Sequence, residues 1–359
     1  MVLESGLRAA ARRLGLKYLS PETANIQRRR HGKGFSYVDE NGQVLRDPTT
    51  RTRIQRLVIP PAWQDVRVAA DPMAHIQAVG RDEAGRVQYI YHEQWDQLRE
   101  ERKARRLVEF AKALPAIRRA VKRDLSRRAG TFELAVAGCV ALIDETAIRV
   151  GEQTHLRRTG ARGATTLKQQ HIRIEGEQIH LCFPGKGGKE QQCQVSAKRL
   201  AKALKRLLGL RSRRLFCYRN GAGQLVCITA RDINTYLSTI SGRRVSAKDF
   251  RTFHATALAG DRLADLKPEL SERKRNSQIV SVVKEVAQML GNTATIARKS
   301  YVHDVVLTSF VNGQLERRWR RGGPVRRGLG AHETALARFL EHPPKRARTR
   351  RTDPEVVSS

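Results

Sequence analysis

The chain lacks long apolar segments and is poor in cysteine. Its first residues, MVLESGLRAAARRLGLKYLS, contain no uninterrupted apolar stretch like that of a secretory signal, and no run approaches the roughly 20 apolar residues of a membrane-spanning helix. The five cysteines are odd in number and form no C-x-x-C pair, which disfavours a disulfide framework and a zinc site. We therefore expect a soluble, cytoplasmic protein without membrane association, whose cysteines are reduced and mostly buried.

Acidic residues are also scarce. The chain has 35 aspartate and glutamate residues against 69 lysine and arginine residues, for a formal net charge of +34. Such an excess of positive charge indicates a polyanionic partner. Nucleic acid fits best, because neutralising its phosphates releases condensed counterions and so favours binding. We therefore expect nucleic acid as the partner.

The N-terminal part carries strand signals. Between residues 35 and 91, the runs FSYVDENGQVL, VIPPAWQDVRV and GRVQYIYH alternate apolar and polar residues and are separated by turn residues. A hairpin is expected around Asn41-Gly42. We predict a small β-sheet-rich domain over residues 1–95.

Helical periodicity begins at about Gln94 and predicts a mostly α-helical domain over residues 96–312. A second helix, ELAVAGCVALIDETAIRV, is expected to end at Gly151. A small antiparallel sheet follows in HIRIEGEQIHLCF and QQCQV, and the chain from Ser196 to about Val311 then reads as helices. The predicted fold class is α+β.

The last segment, residues 313–359, is rich in charge and poor in apolar residues. RRWRRGGPVRRG and KRARTRRTDPEVVSS are typical of solvated chain, and only ETALARFLEH between them could form one short helix. We predict a basic, largely disordered tail that adds nonspecific affinity for nucleic acid.

Several longer phrases carry a resemblance. They are IQRRRHGKGFSYVDENGQVL, RIQRLVIPPAWQDVRV, GRDEAGRVQYIYH, IRVGEQTHLRRTGARGATTLKQQHI, FPGKGGKEQQ, KDFRTFHATALAG and LGNTATIARKSYVHD. Together they resemble the bacterial, poxvirus-like branch of type IB DNA topoisomerases, over roughly residues 14–311. The resemblance implies relaxation of positive and negative supercoils through a 3′-phosphotyrosyl intermediate, strand rotation and religation. It also implies a monomer that needs no ATP and no metal. Double-stranded DNA is then the expected partner, and we expect association with the nucleoid.

The family's active site falls on five positions of this chain. The resemblance implies that Arg149 in IRVG and Arg251 in KDFRT grip the scissile phosphate. It implies that Lys186 in PGKGG is the general acid for the leaving 5′ oxygen, and that Tyr301 in RKSY is the nucleophile. Many family members have histidine where this chain has Asn292, which can donate a hydrogen bond but has no proton to exchange.

A family tract that contacts DNA falls on Gln88, Tyr89 and Tyr91. Alternate residues of a strand share one face, so the two tyrosines could present their rings together to the DNA. The resemblance then implies that the N-terminal domain and the catalytic domain close around the duplex as a clamp.

Each residue taken singly has an ordinary structural explanation. Arg149 could be a charge at a helix C-terminus, Lys186 a solvated turn lysine, and Tyr301 a core residue on an amphipathic helix. Tyr89 and Tyr91 could be ordinary strand aromatics. The ordered set inside longer matching phrases is what favours catalysis.

Neither a nucleotide nor a metal cofactor is expected. GKGGK lacks the serine or threonine of a phosphate-binding loop and precedes a strand. His254 and His303 have no sequence neighbour at the spacing of a metal ligand.

Two other functions fit part of the sequence. A tyrosine site-specific recombinase shares the catalytic residue set, but recombinases usually have histidine three residues before the second arginine, where this chain has Lys248, and their N-terminal domain is helical. A catalytically silent DNA-compacting protein would suit the charge, but the intact set of catalytic residue types argues against it.

Overall fold

The computed structural model describes residues 2–32 and 34–342, and the chain divides into two compact units, Met1–Arg102 and Lys103–Ser359. The first is built on an antiparallel sheet and the second is mostly helical, which confirms the predicted α+β class. The division falls beyond the predicted boundary at residue 95 because Trp95 packs with Ala11 and Leu16 of the first unit. No helix in the described part of the chain is long and apolar enough to cross a membrane.

The first unit contains two helices and a five-stranded sheet. These are α1 (Val2–Arg13), α2 (Pro48–Arg56), β1 (Ile26–His31), β2 (Gly34–Val38), β3 (Gln64–Val68), β4 (Ile76–Arg81) and β5 (Val87–Tyr91). The strand order is β2-β1-β3-β4-β5, with all neighbours antiparallel. The predicted turn at Asn41-Gly42 is present, with the Asp39 carbonyl accepting from the Gly42 N–H.

Sequence reasoning missed two elements of this unit. Strand β1 lies in an Arg-rich tract without apolar alternation, because Arg29 and Arg30 are exposed, Arg28 is half-buried and only Ile26 enters the core. Helix α2 begins at Pro48, where the Asp47 carboxylate accepts from the Thr50 N–H at 2.7 Å. Such an N-cap stabilises a short helix even where apolar periodicity is weak.

The second unit is a helical domain with two small antiparallel sheets. Its helices are α3 (Glu93–Asp124, which starts in the first unit), α4 (Phe132–Thr146), α5 (Gln153–Thr159), α6 (Lys198–Leu208), α7 (Ala230–Ser241), α8 (Ala247–Ala264), α9 (Glu272–Leu290), α10 (Ala294–Ser300), α11 (Asp304–Val311), α12 (Leu315–Trp319) and α13 (Ala331–Glu341). Its strands are β6 (Ile172–Glu175), β7 (Gln178–Pro184), β8 (Glu190–Ser196), β9 (Cys217–Arg219) and β10 (Leu225–Cys227). Helices α4 and α8 are buried through most of their length, so the core is built around them.

The predicted meander is present as the sheet β6-β7-β8, with Ile172 opposite Leu181 and Ile174 opposite Ile179. Helix α4 ends at Thr146 rather than at the predicted Gly151. Ala147 adopts a left-handed φ of 50° and turns the chain there.

The region predicted as continuous helix also contains the hairpin β9-β10, which sequence reasoning missed. Cys217 and Cys227 lie opposite each other in it and form a disulfide, so the prediction of five reduced thiols was wrong for this pair. Of the other three cysteines, Cys139 is buried, Cys193 is half-buried and Cys182 is exposed. Cross-strand neighbours come together through pairing register, which cysteine spacing alone does not reveal.

Much of the predicted disordered tail is folded. Helices α12 and α13 pack on α8, and the ring of Trp319 occupies the space that a Cβ at Gly260 would need. The apolar side of ETALARFLEH is buried, including Leu336 and Phe339, while the surrounding arginines stay at the surface. Burial of that amphipathic face offsets the local excess of charge. The remainder of the predicted tail, residues 343–359, lies outside the described part of the chain.

Candidate active site

Four of the five predicted catalytic residues come together in the second unit. The Arg149 guanidinium donates to the Asn292 side-chain oxygen. The Arg251 guanidinium carbon lies 4.8 Å from the centroid of the Tyr301 ring. Both arginines are close enough to Tyr301 to act on its charge. These residues lie up to 152 positions apart in the chain, as between Arg149 and Tyr301.

Arg149 is placed by the turn after α4. Its carbonyl accepts from the Ala164 N–H at 2.8 Å, so the backbone here is paired with a second segment. A Cβ at Gly163 would lie 2.4 Å from that same carbonyl, so only glycine allows the two segments to approach this closely. The side chain also approaches the Gly291 carbonyl, at 3.4 and 3.5 Å from its two terminal nitrogens.

Arg251 lies in α8 and is only 2% exposed. One terminal nitrogen donates to the Ala147 carbonyl and the other to the Leu290 carbonyl at 3.1 Å. Its Nε is buried and has no hydrogen-bond partner among the described residues. Because an unsatisfied buried donor is costly, this N–H is suited to an acceptor supplied by a ligand.

Asn292 follows the end of α9. Gly291 closes that helix with a left-handed φ of 59°, and the Asn292 N–H then donates to the Ala287 carbonyl at 2.9 Å. A Cβ at Gly291 would lie 2.9 Å from the Gln191 side chain, so the end of α9 packs closely on β8. The Asn292 Nδ2 is buried and, within the described part of the chain, makes no hydrogen bond.

Tyr301 does not lie within an amphipathic helix as the periodicity suggested. It is the residue that ends α10, with φ −128° and ψ −34°, and a turn separates it from α11. The fully buried Thr256 Oγ1 lies 3.0 Å from the Tyr301 carbonyl and also accepts from the His303 N–H at 3.3 Å. Sequence reasoning missed Thr256, because only tertiary contact links it to the tyrosine backbone.

Electrostatics in this pocket favour the phenolate of Tyr301. Burial alone would raise the pKa of the phenol, but the charge of Arg251, followed by those of Arg149 and Lys248, lowers the pKa below its ordinary value of 10.0. Burial in turn lowers the pKa of each of the two arginines, an effect that the Tyr301 charge opposes. An arginine stays protonated under all ordinary conditions, so the pocket holds two fixed positive charges beside a half-buried phenol.

Lys186 stands apart from these four residues. It is exposed, at the start of the turn that joins β7 to β8, where Gly187 and Gly188 both have positive φ. Its side chain makes no hydrogen bond or ion pair within residues 2–32 and 34–342. The packing of Gln191 beneath Gly291 nevertheless brings the neighbouring end of β8 to the edge of the pocket.

The predicted DNA-contacting residues lie in the first unit, on β5. The rings of Tyr89 and Tyr91 are 5.9 Å apart and inclined by 31°, so they do share one side of the strand. Both line a cleft of about 580 Å³ whose wall also contains Arg99, stacked 4.7 Å over the Tyr91 ring. Gln88 is directed instead to the Asp82 carboxylate, at 2.8 Å.

This set of groups suits the transfer of a phosphoryl group to tyrosine. It comprises two guanidinium groups, an amide donor and a phenol with a lowered pKa. The buried N–H groups at Arg251 Nε and Asn292 Nδ2 can donate to oxygens of a tetrahedral anion. The phenol beside them can attack a phosphorus atom held by those donors.

Comparisons with known proteins agree with this chemistry. Residues 92–317 match the family model described as eukaryotic DNA topoisomerase I, catalytic core, and residues 34–82 match the one described as bacterial DNA topoisomerase IB, N-terminal domain. A DNA topoisomerase 1B of Acanthamoeba polyphaga mimivirus is 31% identical over 80% of this chain and 88% of that protein. A DNA topoisomerase 1B of vaccinia virus (strain Copenhagen) is 23% identical over 76% of this chain and 87% of that protein.

A solved structure of the XerH site-specific recombinase bound to difH substrate, in the pre-cleavage complex, is 19% identical with a TM-score of 0.35, over 56% of this chain and 48% of that chain. That likeness is too low to bear on the assignment. The catalytic-core model, in contrast, covers more than half of the chain and includes the whole pocket built around Tyr301. The chain therefore belongs to the type IB DNA topoisomerase family.

Proposed function

We propose that this enzyme relaxes positively and negatively supercoiled double-stranded DNA by transient cleavage of one strand at Tyr301. The observation that carries the proposal is the position of Arg251 over the Tyr301 ring, with Arg149 and Asn292 beside it. The same pocket offers a nucleophile with a lowered pKa and donors for the oxygens of the phosphate that it attacks.

In the cleavage step the Tyr301 oxygen bonds to the scissile phosphorus, and the bond from phosphorus to the 5′ oxygen breaks. The phenol proton passes to solvent, which the nearby guanidinium charges favour. Arg251 and Arg149 stabilise the negative charge on the non-bridging oxygens, and Asn292 donates a further hydrogen bond. The product is a 3′-phosphotyrosyl linkage with a free 5′ end.

Lys186 is the proposed acid for the departing 5′ oxygen. The electron pair of the broken bond leaves with that oxygen, which takes a proton from the ammonium group and becomes a hydroxyl. The exposed turn supports this role because Gly187 and Gly188, which both have positive φ, lack a Cβ and can also adopt other backbone conformations. Religation is the same step in reverse.

Between cleavage and religation the free end rotates about the intact strand. Torsional strain in the DNA drives rotation, and the phosphotyrosyl bond conserves the energy needed for resealing, so the cycle requires no ATP. Two permanent guanidinium charges serve where other phosphoryl-transfer enzymes use metal ions, so no metal is required.

DNA binding outside the pocket rests on charge and on the first unit. The net charge of +34 supports phosphate contacts along the duplex, and Tyr89 and Tyr91 on β5 are proposed to face the DNA backbone. Gln88, which is held by the Asp82 carboxylate, would have to leave that contact to bind DNA. With all the catalytic residues on one chain, we propose a monomer that acts in the cytoplasm on the nucleoid.

Relaxation of supercoiled plasmid in chelator, without nucleotide, tests the proposal. We expect ladders of relaxed topoisomers from the monomer on plasmids of unrelated sequence, and a covalent protein–DNA adduct on addition of denaturant. Tyr301→Phe should abolish both while retaining noncovalent binding. Activity only on one specific site would indicate a recombinase, and binding without adduct would indicate a DNA-compacting protein.

A further inference from the structure

A partly buried charge cluster lies outside the pocket and has no role in the chemistry above. It consists of Arg118 on α3, Asp144 on α4, His254 on α8 and Glu333 on α13. The Arg118 guanidinium donates to both carboxylates, with nitrogen–oxygen distances of 2.7 and 2.9 Å to Asp144 and 2.7 and 2.8 Å to Glu333. The side chain of Glu333 is only 5% exposed.

His254 lies between the same two carboxylates. Its Nε2 is 3.0 Å from Asp144 Oδ1, and its Nδ1 is 3.5 Å from Glu333 Oε1. The two carboxylates and the imidazole are close enough together to hold a metal ion. Here the Arg118 guanidinium already bridges the two carboxylates and supplies their positive charge, so a structural cluster is the better interpretation.

The cluster is adjacent to the catalytic arginines through two helices. The first contact joins Asp144 near the end of α4 to His254 on α8. The second joins the carbonyl of Ala147, three residues after Asp144, to Arg251, three residues before His254. These are two neighbouring cross-links between the same pair of segments, one helical turn apart. Arg149 lies two residues after Ala147, just beyond this crossing.

We propose that His254 is a positioning residue: held between Asp144 and Glu333, it fixes α8 against the end of α4 and thereby fixes Arg251 relative to Arg149. The proposal rests on the proposed function, since it concerns the geometry of the cleavage step. Helix α13 becomes part of the active-site support, although it lies beyond residue 317, where the match to the catalytic-core model ends.

The charges in the cluster depend on one another, so the loss of one side chain should disturb the others. If one carboxylate is removed, the Arg118 charge keeps its desolvation cost and loses a partner, so the cluster must rearrange. A small rearrangement matters here because a misplacement of about 1 Å can slow an enzymatic step by roughly 100-fold.

The test compares His254→Leu, His254→Gln and Glu333→Gln with Glu341→Gln. Glu341 is the control because it lies on α13, as Glu333 does, and also pairs with an arginine, Arg326, at 2.6 Å. Among the residues described, that pair has no contact with the cluster. For each protein we would measure the melting temperature, the noncovalent Kd for duplex DNA, and the single-turnover rate of adduct formation at saturating DNA, at a temperature where the variant is folded.

We expect His254→Leu and Glu333→Gln to slow adduct formation by roughly 10- to 100-fold with little change in Kd. His254→Gln keeps an amide donor for Asp144 and should recover most of the rate. Glu341→Gln should cleave like the wild type. The isosteric Glu333→Gln decides the matter if His254→Leu does not fold.

Wild-type rates in folded His254→Leu and Glu333→Gln, even with lowered melting temperatures, would overturn the positioning role and leave the cluster as a stabilising feature only. Absence of any adduct with the wild type would instead overturn the proposed function itself. The two failures are therefore distinguishable in one experiment.

Discussion

The guanidinium carbon of Arg251 lies 4.8 Å from the centre of the Tyr301 ring, and Arg251 itself is held by carbonyls at the ends of two other helices. The charge beside the phenol is therefore fixed before any DNA arrives. In the proposed mechanism, such preorganisation would stabilise a developing phosphate charge without the reorganisation that water would need.

The lowered pKa of Tyr301 predicts a pH dependence. Because the neighbouring cations stabilise the phenolate, Tyr301 should ionise below pH 10.0, and replacing Arg251 by glutamine should move that ionisation upward. Nuclear magnetic resonance of ring-labelled tyrosine, with Tyr301→Phe to assign the signal, measures both values. An unchanged midpoint in the Arg251 variant would show that burial, rather than charge, controls the phenol.

Lys186→Ala should slow cleavage of ordinary DNA strongly, because the 5′ oxygen then leaves without a proton. On a substrate with sulfur at the 5′ bridging position the defect should nearly disappear, since a thiolate leaves readily unprotonated. Single-turnover rates on the paired substrates give the ratio. Lys189→Ala, in the same turn, is the matched control, and equal slowing of Lys186→Ala on both substrates would remove Lys186 from the acid role.

Asn292→His should change the pH profile of cleavage. Asparagine has no ionisable group, whereas histidine gains a charge near neutrality and would add a pH-dependent donor to the phosphate oxygens. We expect a faster cleavage rate at acidic than at alkaline pH relative to the wild type. Rate profiles that superimpose would show that this position contributes only a hydrogen bond.

Acid should weaken the fold through Asp144. Burial alone would raise its pKa, but hydrogen bonds from Arg118 and then His254 lower the pKa from 3.8 to about 2. A carboxylate with a depressed pKa stabilises the folded state fully above its unfolded value, and that contribution is lost as the pH falls through the folded value. Its loss between about pH 4 and pH 2 should cost about 2 kcal/mol.

Chemical denaturation of the wild type and of Asp144→Asn across that pH range measures this contribution. The variant should show a shallower decline in its free energy of unfolding. Equal slopes would mean that other carboxylates account for the acid sensitivity.

Removing residues 343–359 should weaken DNA binding at raised salt with little effect on single-turnover cleavage. The segment carries five lysine and arginine residues, and the slope of log K against log salt should become shallower by about 0.9 for each phosphate that is no longer neutralised. Removing residues 331–359 also deletes α13 with Glu333, and cleavage should then fall. A large cleavage defect in the shorter deletion would show that the end of the chain is more than a binding accessory.

The family and the fold class could be predicted from the sequence. Phrases such as KDFRTFHATALAG carried the resemblance, and the apolar surface of ELAVAGCVALIDET predicted a buried helix because a helix without a polar face must be covered on all sides. The pairing of Ile172 and Ile174 across a short turn was also predictable, since a hairpin register follows from local turn geometry.

Which distant groups meet could be seen only in the folded chain. The short helix α2 and the disulfide of Cys217 with Cys227 were missed because capping and strand register override composition. Thr256 and Glu333 carry no distinctive sequence signal. Thr256 contacts Tyr301, 45 positions away, and Glu333 contacts His254, 79 positions away. Long-range contacts of this kind follow from how helices pack around a shared core, and local residue preferences do not encode that packing.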